Sequence, residues 1–214
     1  SKFVIKIYEK NRDLIFKRLA KIYGYIFIDE VQDLAGYDFD IIKNIYSNVD
    51  NVIAVGDPRQ TTYSTHHSQK YKKYSEGKVR EFFCEQLNGI CEIDEITLIK
   101  SHRNEQIICD ISSQLFPEFT PSESCECCND SHIEHLGVFY VPETKHLKYL
   151  ETYNPTQLRW DSRNKKVNSQ YPTMNIGSSK GLTLDRVILY PTKQMVEWLK
   201  DETKTFEQQT QSKF

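Results

Sequence analysis

Two short apolar runs, each ending abruptly in a cluster of acids and amides, constrain this chain more than any other feature. The first is YIFI at residues 25–28, followed by Asp29, Glu30, Gln32 and Asp33. The second is NVIAVG at 51–56, followed by Asp57, Pro58, Arg59 and Gln60. Apolar runs of this length, bounded by polar residues, read as strands buried on both faces, the habit of parallel sheets. Between them YDFDIIKNIYSNV (37–49) has a helical pattern. Ahead of them, residues 1–24 set Leu14, Ile15, Leu19 and Ile22 at roughly helical spacing and stop near Gly24. Helix, strand, helix, strand is the rhythm of a covered parallel sheet, so the expected fold class is α/β.

Past Asp57 the character shifts. THHSQKYKKYSEGKVR (65–80) is basic, carries tyrosines and is poor in aliphatics, as a surface segment or linker would be. EIDEITLIKSHRN reads as a strand entering a polar turn, EQIICDISSQLF (105–116) as a helix, and FPEFTPSESCECCNDSH as a loop. GVFYV (137–141) is a strand candidate, HLKYLETY (146–153) a short helix, DRVILYPT another buried-type strand and KQMVEWLKDE another helix. The shift near 65–85 suggests two lobes, divided as 1–84 and 85–214.

Composition excludes some classes. No run approaches the ~20 apolar residues a membrane span needs, and the lysine-broken start lacks a signal peptide's apolar core. Six cysteines among 214 residues are not spaced like a secreted framework, so a reducing, cytoplasmic setting without a membrane is expected. The net charge of −2 leaves nucleic acid open, because a local patch can supply the footprint.

Carboxylates at the carboxyl end of a parallel strand stand where α/β proteins place ligands. Asp29 and Glu30 point to different sides if the strand persists, so one can face a metal while the other faces an attacking water. That is what phosphoryl transfer from a nucleotide requires. Gln60 is an amide that can donate and accept at once, suited to a γ-phosphate or water, and Gly56 permits a tight exit from the strand. A solvated turn would explain either cluster alone; two adjacent strands ending this way are far more specific.

Four blocks together resemble a superfamily 1 DNA helicase of the UvrD/Rep type. IDEVQD is similar to its Walker B segment, VGDPRQTTY to the motif that follows, LIKSHRNEQII to an arginine-bearing motif of the second lobe, and MNIGSSKGLTLDRVIL to a late motif. The resemblance spans residues 25–190 in family order. It implies a RecA-like P-loop NTPase fold with a partial first lobe and a second lobe, ATP and Mg²⁺ as cofactors, and single-stranded DNA or DNA junctions as partners in repair or replication. It implies that Asp29 holds Mg²⁺ through water and that Glu30 positions or deprotonates the hydrolytic water. Gln32 and Gln60 would sense the γ-phosphate, and Arg103 would stabilise charge as a finger. Asp57, Tyr63, Lys180 and Gly181 would line or couple to the nucleotide site.

The chain also departs from that pattern. Asn175 and Gly177 stand where the family usually has Thr and His, Thr183 where it has Glu, and Thr65 where it has a base-stacking aromatic. No G-x-x-x-x-G-K-[ST] loop occurs in the sequence, nor the family's final arginine motif. The chain is therefore expected to be part of a longer helicase and, in isolation, to hydrolyse essentially no ATP. The alternative is a non-enzymatic nucleic-acid- or protein-binding module derived from the helicase fold. Lys70, Lys72 and Lys73 with Tyr71 form the candidate nucleic-acid patch. Cys125, Cys128, His132 and His135 form a candidate zinc set within one compact segment.

Overall fold

The computed structural model describes residues 2–61, 70–75, 77–128, 135–164, 166–204, 206 and 208–214. The chain divides into two compact units, Ser1–Ile93 and Asp94–Phe214, each of mixed α/β type with small parallel sheets. Among the described residues no helix is long and apolar enough to cross a membrane.

The first unit opens with α1 (Lys2–Ile22), which packs against α2 (Asp38–Asn48). Its inward stripe runs through Ile15, Phe16 and Leu19, with Phe16 buried, while Leu14 and Ile22 face solvent. Strand β1 (Ile26–Ile28) pairs in parallel with β2 (Val52–Ala54), Ile26 opposite Val52 and Ile28 opposite Ala54. The entry to the pair is stitched by Ile26 N–H to Asn51 O (3.0 Å) and Asn51 Nδ2 to Gly24 O (3.0 Å). Asp38 and Asp40 in the first turn of α2 complement the positive end of its dipole.

Side chains alternate across a strand. Ile28 and Ala54 turn towards a core of Val31, Phe39, Ile42, Tyr74, Phe82 and Leu87, to which α3 (Val79–Gln86) contributes most. Phe82 lies at its centre, with ring centroids 4.4 Å from Phe39 and 5.4 Å from Tyr74. The other face differs from the sequence expectation of strands buried on both sides. Phe27 is 72% exposed, and Tyr25 and Ile53 are exposed beside it. The reason is that, among the described residues, this sheet has two strands and the core covers one of its faces.

In the second unit β5 (Thr156–Arg159) lies between β6 (Thr173–Asn175) and β7 (Val187–Tyr190), all parallel. Helix α5 (His146–Tyr153) ends at Asn154, whose left-handed backbone (φ 44°) turns the chain into β5. Helix α6 (Lys193–Lys200) starts under a Thr192 cap and buries Met195 and Trp198. A separate parallel pair, β3 (Lys100–Ser101) and β4 (Glu123–Ser124), brackets α4 (Gln106–Leu115). A short terminal helix, α7 (Gln208–Gln211), brings Phe214 onto Trp198.

One expected strand is not formed and another is shortened. Residues 137–141 are irregular: Gly137 takes φ 118°, and Tyr140 is 91% exposed. Of the strand expected before Ser101 only Lys100 and Ser101 pair, because Ile96 and Leu98 lie exposed without a neighbouring strand among the described residues.

Candidate functional site

The parallel register brings the two acid–amide clusters together. The ladder continues one step beyond the strands, through Val55 N–H to Ile28 O (2.8 Å) and Val31 N–H to Val55 O (3.1 Å). Gln32, only 5% exposed, then joins the two strand exits. Its Oε1 accepts from the Asp57 backbone N–H at 3.1 Å, and its Nε2 donates to Glu30 Oε2. A buried amide able to donate and accept is the group this bridge requires.

Glu30 itself is exposed and sits in the left-handed region (φ 54°, ψ 41°), uncommon for a residue with a side chain. The Asp29 carboxylate accepts from Glu30 N–H at 2.8 Å, closing the turn from below. Asp29 and Glu30 therefore remain at the rim, on an unusual local backbone that their neighbours hold in place.

Asp57 is the hub of the second exit. Its carboxylate accepts from Arg59 Nε (2.8 Å), Arg59 Nη2 (3.2 Å), Arg59 N–H (3.1 Å) and Gln60 Nε2 (3.0 Å). The sequence reading assigned no role to Arg59. Its spacing two residues after Asp57, across a proline, is the signal that could have marked the pair. Gln60 is exposed, its amide turned back onto Asp57.

Gly56 lies under this bridge, and its lack of a side chain is a packing requirement. A Cβ there would collide with Gln32 Oε1, stand 2.9 Å from Val31 Cγ2, and stand 3.0 Å from Val31 N. Gly56→Ala should therefore destabilise the first unit by about 1–3 kcal/mol through overpacking. Gly24→Ala, where nothing lies within 4 Å of the added atom, should be close to neutral. Denaturant unfolding of the two variants, followed by tryptophan-independent far-UV dichroism, checks the contrast.

Of the candidate nucleic-acid patch, Lys70 pairs with Asp40 (2.6 Å), and the Tyr71 hydroxyl donates to the other oxygen of the same carboxylate (2.9 Å). Lys73 pairs with Glu85 (2.5 Å), which also accepts from the Tyr74 hydroxyl (2.8 Å). The Lys73 ammonium's own hydrogen bond to Glu85 holds it above its usual range, and Lys73 in turn holds the Glu85 carboxyl low. Lys72 is exposed. This segment thus does structural work in the first unit, against its reading as a plain surface linker.

Arg103, Lys180 and Gly181 stand in the second unit. Arg103 lies in a turn after β3 that Ser101 Oγ closes by accepting from the Arg103 and Asn104 N–H groups (3.3 and 3.2 Å). Lys180 and Gly181 follow β6 and the turn Ile176–Ser178, with Gly181 at φ 78°. Asn175, one of the departures from the family pattern, accepts from Arg159 Nε at 3.2 Å.

The candidate zinc set is only partly described, because His132 and the Cys128 side chain lie outside the described residues; so does Tyr63 of the expected nucleotide site. The His135 ring stacks on Phe139 (4.0 Å between centroids) and Tyr153 (5.2 Å). Cys125 instead gathers with Cys127 and with His102, a residue from a distant part of the sequence. Cys125 and Cys127 are joined there as a disulfide, so the three could hold a metal ion only once that bond is reduced.

The family described as UvrD/REP helicase N-terminal domain matches residues 2–75, which take in β1, β2 and every residue of the Gln32 bridge. A curated relative from Mycoplasma capricolum subsp. capricolum, named "Probable DNA helicase II homolog", is 34% identical over 62 residues. That alignment covers 29% of this chain and 8% of the relative's own length. The first unit is thus similar in sequence to the N-terminal domain of UvrD/Rep helicases.

Proposed function

We propose that the first unit carries the water- and cation-positioning residues of an ATP-dependent DNA helicase or translocase, and that the chain acts as part of a longer protein. The bridge through Gln32, which ties Glu30 to the Asp57 exit, is the observation that carries this reading. It links two strand ends mechanically, so a change at one carboxylate is felt at the other.

The donor set at the rim fits Mg²⁺ in chemistry: the exposed carboxylates of Asp29 and Glu30 and the amide oxygen of exposed Gln60 are all hard oxygen ligands. Mg²⁺ and ATP, when bound, supply the phosphoryl group and the compensating positive charge. Asp29 is the residue that would hold the cation, through water. Glu30, released from the Gln32 amide or sharing it, orients the attacking water and accepts its proton. Gln60 exchanges its bond to Asp57 for one to the phosphate or water. The resemblance assigns Arg103 the charge-stabilising role that a fixed guanidinium fork suits. Single-stranded DNA is the proposed track, with exposed Lys72 the cleanest residue to test because Lys70 and Lys73 also hold the first unit together.

The test is ATP hydrolysis by the product of the whole reading frame, with and without single-stranded DNA. Hydrolysis should rise with DNA and fall about 10²–10⁴-fold in Glu30→Gln, the range for loss of a positioned general base. Residues 1–214 alone should show essentially none. Turnover by residues 1–214 that Glu30→Gln leaves unchanged would count against the reading. DNA binding by the whole product without any hydrolysis would favour the non-enzymatic module.

A further inference from the structure

The parallel pair β3–β4 sets Ser101 opposite Ser124, and Cys125 N–H extends the ladder by donating to Ser101 O at 2.9 Å. The residues that leave the two strands therefore emerge side by side. His102 comes from one, Cys125 and Cys127 from the other. The His102 Nδ1 atom lies 3.9 Å from Cys127 Sγ, and the ligand atoms of all three residues lie within 4.8 Å of one another. In a tetrahedral zinc site with Zn–S near 2.3 Å and Zn–N near 2.0–2.1 Å, adjacent ligand atoms stand roughly 3.6–3.8 Å apart. The imidazole nitrogen and the Cys127 sulfur are already spaced to share one ion.

We propose that the reduced chain binds one Zn²⁺ through Cys125 Sγ, Cys127 Sγ and His102 Nδ1, with water in the fourth position. Two thiolates and an imidazole are a borderline-soft set that favours zinc over magnesium or calcium. The two arms the site requires are supplied by the sheet, although the cysteines share one short segment. In the structure Cys125 and Cys127 are joined as a disulfide, so the oxidised, metal-free form and the reduced, metal-bound form exclude each other. Passing between them takes a dithiol reductant. Its two thiols give two electrons to the Cys125–Cys127 bond, which breaks, and become a disulfide themselves. Zn²⁺ then takes both thiolates, and two protons are released to solvent for each ion bound. The site rests on unit 2 alone and does not depend on the helicase reading.

Cobalt(II), added to the reduced 214-residue chain without a histidine tag, is the direct probe. One equivalent should bind with thiolate-to-metal charge-transfer absorption and the visible bands of a tetrahedral ion, and zinc should displace it. Oxidation with diamide before addition should abolish the signal. His102 and Cys127 are exposed, so substituting them should leave the fold intact, as far-UV dichroism can verify. Cys127→Ser and His102→Ala should each weaken binding by more than about a hundredfold, the upper end of what losing a mere outer-shell partner costs. Cys84→Ser and His135→Ala should leave it unchanged. X-ray absorption of the zinc-loaded, unmutated chain should report two sulfur and two lighter ligands. Cobalt binding without charge transfer, equal binding by the diamide-treated chain, or full affinity in Cys127→Ser or His102→Ala overturns the site. So does a zinc shell of four sulfurs or of none.

Discussion

Phe82→Ala should cost the first unit about 3–5 kcal/mol, the range for removing a buried aromatic and leaving a cavity. Phe82 is wholly buried and touches the rings of Phe39, Tyr71, Tyr74 and Phe83, with centroids 4.4–5.9 Å away. Those rings arrive from α2, from the turn around Lys72–Tyr74 and from α3 itself, so the surroundings are pinned by three segments and can collapse only partly. Set against a domain stability of about 5–15 kcal/mol, the loss would leave this unit marginal. Urea unfolding followed by near-UV dichroism of the aromatic cluster is the measurement. Phe82→Leu, which keeps most of the volume, should recover at least half of the loss. If Phe82→Ala unfolds at the same denaturant concentration as the parent, the cluster is not the core of this unit.

A second large effect is expected from Gln157→Leu, although leucine nearly matches glutamine in size. Gln157 is fully buried at the centre of the three-stranded sheet. Its Nε2 donates to Asn168 O (2.8 Å) and Thr173 Oγ1 (2.9 Å), while its Oε1 accepts from Asn168 N–H (2.9 Å) and the Tyr190 hydroxyl (2.6 Å). Leucine removes the partner of both Asn168 backbone groups at once. Asn168 is half-buried, and each group orphaned out of reach of water costs about 1–3 kcal/mol, so a loss on the order of 3 kcal/mol is expected in the second unit. The segment around Asn168 should also exchange its amide hydrogens faster, since that bond anchors it to β5. Unchanged thermal stability with unchanged exchange at Asn168 would show that the glutamine is dispensable.

Such a residue explains where sequence reading stops. TQLR (156–159) is polar at three of its four positions and draws no attention as a strand, yet it is the central strand of its sheet. A polar side chain whose donors and acceptors are all met inside the fold has the hydropathy of a surface residue. The same blindness hid the structural part of 70–74: Tyr74 is 2% exposed in a stretch that looks like a linker. In the opposite direction, GVFYV has the apolar content of a strand and forms none, because a strand needs a neighbour as well as a composition.

What could be read directly was whatever depends on residues close in the chain. The helices at 38–48, 106–115, 146–153 and 193–200 and the strands at 26–28, 52–54 and 187–190 follow from local periodicity and from turn residues. The order of the two acid–amide clusters, and their place just beyond apolar strands, needed no coordinates either. Register supplied the rest. Gln32 meets the Asp57 amide, and His102 meets Cys127, across gaps of 25 residues each. Nothing in either segment encodes its distance to the other. That distance follows from which strand residues pair across the ladder, and in β1–β2 the pairing depends on how Ile28 and Ala54 both turn onto the same core.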